Sequence, residues 1–100
     1  MNKKRPRSDT RLKRVAAPYI HDLGLEGVKI HYAWEFLPCF AECRLFADGT
    51  VEIAVDHALK STSKLSTLRR TLAHECYHVY QHVNGLKRTE KPAEDYARSI

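Results

Sequence analysis

Between residues 63 and 84 the chain carries a pattern that leaves little freedom in how it folds. Leu65, Leu68, Leu72, Cys76, Val79 and Val83 recur at helical spacing. At ~100° per residue they fall in one stripe about 80° wide, which must be buried against another layer. His74 and His78 lie nearly opposite that stripe, ~40° apart around the axis and ~6 Å apart along it. A helix on the surface of a domain usually carries Lys, Glu and Gln there. Imidazoles and tyrosines suit a second covering layer or a cleft.

The rest of the chain reads as short elements around this helix. Asp9 is placed to cap a helix over 10–22, with Leu12, Val15, Ala16, Tyr19 and Leu23 at helical spacing and Gly24 as its stop. Residues 28–37 read as a strand. Residues 41–55 read as a hairpin, with Asp48-Gly49 as a tight two-residue turn and Val51, Ile53 and Val55 alternating with polar partners. Gly85 ends the long helix, and Pro92 suits the first turn of a last helix running to residue 100. The order predicts an α+β fold: an N-terminal helix, a small three-stranded, mostly antiparallel sheet, the central helix and a C-terminal helix. No internal repeat interrupts it, so residues 9–100 read as one domain.

Charge is unevenly spread. Residues 1–14 hold seven Lys and Arg against Asp9 alone, a net +6, while the whole chain is +5. The basicity therefore belongs to an arm at residues 1–8 and the start of the first helix. Such an arm can hold nucleic-acid phosphates through counterion release, or it is a solvated leader. No apolar run approaches the ~20 residues of a membrane span, and none follows the basic N-terminus as in a secretory signal. Cys39, Cys43 and Cys76 are an odd set, unlike a secreted disulfide framework, which points to the reducing cytoplasm.

His74-Glu75-Cys76-Tyr77-His78 matches H-E-x-x-H. Two imidazoles one turn apart can converge on one zinc ion, and the glutamate between them is angled away from the ion's own ligands, free to take a proton from a water. The other reading is a pair of buried, hydrogen-bonded histidines with Glu75 in a surface ion pair. His82 continues the register but lies ~12 Å along the axis from His74, too far to share the ion. The third ligand is expected to be acidic and on an element that folds back. Glu94 and Asp95 both qualify. Glu94 is preferred, because Arg98 shares its face and can hold its carboxylate, whereas Asp95 points ~100° away. A favourable charge at a helix N-terminus also explains Glu94. Cys39 and Cys43 alone lack two ligands for a second zinc site.

H-E-x-x-H, a glycine break and then P-x-E-x-x-A (Pro92, Glu94, Ala97) resemble the small zincin-type metallopeptidases with a glutamate third ligand, such as the SprT-like and ImmA/IrrE-like groups of bacteria and phages. The motif-level likeness covers residues 72–97; the order of elements resembles that fold over most of 10–100. The resemblance implies one Zn²⁺ on His74, His78 and Glu94, with Glu75 as catalytic base, and peptide-bond hydrolysis of a peptide or protein substrate. It leaves the oxyanion-stabilising group open among His57, Tyr96 and Arg98. Substrate is expected along a free sheet edge, at residues 50–55. The alternative is a non-catalytic, zinc-containing module acting through its basic arm on nucleic acid or a protein.

Overall fold

The structure, a computed structural model, describes residues 7–100. The fold is α+β. Helix α1 (Thr10–Asp22) is followed by strands β1 (Ile30–Glu35), β2 (Ala41–Leu45) and β3 (Val51–Asp56), then two 3-10 turns, His57–Lys60 and Thr62–Lys64. Helices α2 (Leu65–Val83) and α3 (Glu90–Arg98) complete it. The basic arm expected at residues 1–8 lies mostly outside the described residues. Of its cationic side chains only Arg7 is described, while Ser8 Oγ accepts a hydrogen bond from the Tyr32 amide at 2.9 Å.

Asp9 caps α1 as expected, its Oδ1 accepting from the Leu12 amide at 2.8 Å. Gly24 and Gly85 end α1 and α2 with φ of +67° and +66°, the left-handed region that lets the chain leave a helix at no steric cost. The hairpin turn differs from the expected two-residue form. Phe46 N donates to Thr50 O, and Gly49 N to Phe46 O, so Ala47, Asp48 and Gly49 form a three-residue loop with Gly49 at φ +87°. That is a turn closed by a glycine bulge.

The sheet order is β1-β3-β2, with β3 parallel to β1 and antiparallel to β2. It is therefore mixed rather than mostly antiparallel. The physical reason is the composition of β3, whose residues Val51–Val55 are all buried. A strand covered so fully belongs in the centre, paired on both sides. This also moves the candidate substrate edge. Residues 50–55 are not an edge; the sheet's edges are β1, where Ser8 and Asp9 bond the Tyr32 backbone, and β2.

Register aligns the faces. Tyr32, Ile53 and Cys43 stand in one row facing the core, and the neighbouring row holds His31, Glu52 and Arg44 on the outer face. On that face Arg44 donates to Glu35 on β1 (2.7 and 2.9 Å), to Glu52 on β3 (2.8 Å) and to Glu42 on its own strand (3.0 and 3.2 Å). The inner face is covered by helices. Leu68, Leu72, Cys76 and Val79 of α2 are fully buried in one cluster with Leu12, Ala16, Ile53 and Val55. Val83, placed in the same stripe by spacing, is 52% exposed at the last residue of α2. Among the described residues no helix is long and apolar enough to cross a membrane.

Candidate metal centre

The face of α2 opposite the sheet is covered by α3. After Gly85 turns the chain, α3 runs back along α2 and buries Ala93 and Ala97 against it. Two small side chains one turn apart let the helices approach closely. Glu90, the first residue of α3, shares that face, and its Oε2 lies 3.0 Å from His74 Nε2 and 2.9 Å from His78 Nε2. The two Nε2 atoms are 3.1 Å apart.

The tautomer of His78 follows from its neighbours. Gln81 Nε2 donates to the Thr89 carbonyl, which can only accept, and also lies 3.2 Å from the Thr89 hydroxyl. That contact fixes the amide, so Gln81 Oε1 is the atom facing His78 Nδ1 at 2.9 Å, and Nδ1–H donates to it. With Nδ1 bonded to Gln81, His78 turns Nε2 toward Glu90 Oε2 and His74 Nε2. Acceptors gathered this closely, with His78 only 2% exposed, need a proton or a cation between them. Ligand atoms ~2.0–2.1 Å from a tetrahedral zinc stand roughly 3.3 Å apart, so these three are already within a few tenths of an ångström of that spacing. Two imidazoles and a carboxylate are also a fitting donor set for that ion. Among the described residues this is the one group of His, Cys, Asp or Glu side chains so arranged. Cys39 and Cys43 belong to no such group.

The structure thus brings Glu90, and not Glu94 or Asp95, to the histidines. The sequence placed the start of the last helix at Pro92 and left Glu90 in the loop; Pro92 is in fact the third residue of α3. Because α3 runs antiparallel to α2, the acid that reaches His78, in the second half of α2, comes from the start of α3. Glu94 is a turn further on, ~6 Å along the axis. It pairs loosely with Arg98 at 3.9 Å, and Asp95 pairs outward with Lys91 at 3.1 Å. Desolvation acts to raise the Glu90 carboxyl, but the charges and hydrogen bonds of His78 and His74 outweigh it and hold it below the usual carboxylate range. Gln81 was also missed, although its position three residues after His78 was a usable signal.

Glu75 is buried at 7% exposure; it is not one of the three converging groups, and it lines an adjoining cleft whose walls include Phe40, Ala41, His74, Glu94 and Arg98. Burial pushes its carboxyl above the usual range, against the lowering influence of His74, His78 and Arg88. Of the three groups weighed for oxyanion stabilisation, only Arg98 lines this cleft. Tyr96 donates its hydroxyl to Asp22 at 2.7 Å, and His57 lies against Phe36, with ring centroids 4.4 Å apart. His82 is exposed and takes no part in the cluster.

The outer edge of β2 meets the cleft at Ala41, whose carbonyl accepts from Cys39 Sγ at 3.4 Å. Asp56 N donates to Phe40 O and Phe46 N to Thr50 O, so even-numbered residues of β2 bond to β3. Ala41, Cys43 and Leu45 turn their backbone groups outward. Arg88 Nη1 donates to the Cys43 carbonyl at 3.3 Å. The chain matches no protein-family model, no curated protein and no solved structure.

Proposed function

We propose that this chain is a zinc-dependent metallopeptidase in which His74, His78 and Glu90 hold the ion and Glu75 is the general base. The observation that carries the reading is the convergence of three ligand atoms from α2 and α3 while Glu75, within the same motif, stays outside them in the adjoining cleft. The likeness of H-E-x-x-H to the zincin-type peptidases supports it. When bound, the ion supplies Lewis acidity, lowering the pKa of a water and polarising a carbonyl. Glu75 takes the proton of the attacking water and delivers it to the leaving amine. Its burial favours that work, since a desolvated carboxylate holds a proton more readily. Gln81 keeps the His78 ring turned and its Nε2 unprotonated. A substrate strand adds at the outward backbone groups of β2, beginning at Ala41 where the edge meets the cleft. The free thiols of Cys39, Cys43 and Cys76 fit a reducing cytoplasm.

Glu75→Gln tests the assignment. The amide is nearly isosteric but cannot accept the proton, so zinc content and fold are expected to survive while hydrolysis falls by ~10²–10⁴-fold. A substrate is first captured with the Glu75→Gln protein and identified by mass spectrometry. Equal cleavage by the variant and the wild type would remove Glu75 from the mechanism. Stable binding with no cleavage by the wild type would make the chain a zinc-containing binding module.

A further inference from the structure

The cleft beside Glu75 extends well beyond the ligands. It encloses about 460 Å³ and follows the seam between α2 and α3, away from Glu90. Its far end is basic. Arg70 stands one turn before His74 on α2, and Arg98 stands two turns after Glu90 on α3, so the two antiparallel helices bring both guanidiniums to the same end. One carboxylate, Glu94, stands one turn before Arg98 on α3. It reaches Arg98 at only 3.9 Å, with side chains 77% and 54% exposed, so most of the Arg98 donors are left for a ligand. Among the described residues Arg70 has no ion-pair partner. The exposed ring of Phe40 forms the lip.

We propose that Arg70 and Arg98 form a subsite for a carboxylate of the substrate, one or two residues from the cleaved bond. This deepens the peptidase reading and rests on it. A guanidinium presents a planar fork that matches a carboxylate, and two forks facing one internal acid leave a net positive end to the trough. The spacing sets the distance. Arg70 is ~6 Å along the axis from His74, and an extended peptide advances ~3.4 Å per residue. The carboxylate is either an Asp or Glu side chain or the free C-terminus of the peptide; the chemistry at the arginines is the same.

The test uses the Glu75→Gln protein and acetylated, alanine-rich hexapeptides carrying Asp, Lys or Leu at one scanned position. Each is made with a free and with an amidated C-terminus, and binding is followed by NMR titration at low salt. Peptides bearing the carboxylate are expected to bind roughly tenfold or more tighter than the amidated Lys series. The advantage is expected to vanish when Arg70→Glu and Arg98→Glu are added together. It is expected to persist with Arg69→Glu, which changes charge on the same helix outside the cleft. An advantage confined to the free-acid peptides assigns the site to the C-terminus, and one that persists in amidated Asp peptides assigns it to a side chain. Equal affinities, no binding to any peptide, or an advantage that survives the double reversal overturns the proposal. Cleavage of the same peptides by wild type is scored separately: carboxylate-selective binding without cleavage leaves the subsite standing and removes the hydrolase reading.

Discussion

Cysteine shows how one residue type divides by environment. Cys39 is exposed in the loop before β2, while Cys43 and Cys76 are buried where β2 meets α2. Burial pushes the Cys43 thiol up to about 11 and the Cys76 thiol to about 12. A thiol reagent applied to the native protein is therefore expected to modify one cysteine rapidly and the other two only on unfolding. Rapid native modification of three would contradict the packing. The same two thiols set an alkaline limit. In the unfolded chain they deprotonate near 9.0, and in the folded chain they stay protonated. Above pH 9 the unfolded state thus binds fewer protons, so this contribution is intact below pH 9 and is lost as pH rises to about 11–12. Chemical denaturation at pH 8, 9.5 and 10.5 is expected to show stability falling across the series, with Cys43→Ala falling less steeply.

At the level of elements, Arg44 ties the outer face of the sheet together, because it is the cation shared by glutamates on β1, β2 and β3. Replacing it with Met leaves three carboxylates facing one another. Partly exposed pairs are individually worth ~0.2–1 kcal/mol, so a network of three is expected to cost about 1–2 kcal/mol, read as a shift in the urea midpoint at neutral pH. An unchanged midpoint would mean that solvent already screens the network. Much of this architecture was legible beforehand. The stripe from Leu68 to Val79, the Asp9 cap and the glycine stops are local signals, and the structure agrees with them. The parallel pairing of β1 with β3 was not legible, because strand order depends on which strand can be buried on both faces. For the site, His74, Glu75 and His78 are written in one helical repeat. Glu90 depends on where α3 begins and how it docks, and proline at its third residue disguised a start two residues earlier.

In the whole molecule, α3 is the last element, and it reaches the core chiefly through α2. It has nine residues; Ala93 and Ala97 are its buried side chains, and Tyr96 packs against Tyr77 of α2. In the proposed site, an ion shared by Glu90 and the histidines would fasten the last helix to the core. Chelation is expected to lower the melting temperature by roughly 10 °C for a site held near saturation. Amide exchange is expected to rise first over residues 86–98, with α2 and β3 still protected. An unchanged melting temperature after verified removal of zinc would separate the ion from the fold. The central claim is the ligand set itself, and zinc affinity across four proteins tests it most directly. Wild type is expected to bind about one zinc per chain, His78→Ala and Glu90→Gln to bind at least tenfold more weakly, and Glu94→Gln to bind as wild type does. A wild-type chain that takes up no zinc, or a Glu90→Gln protein that keeps full affinity while Glu94→Gln loses it, would contradict the site.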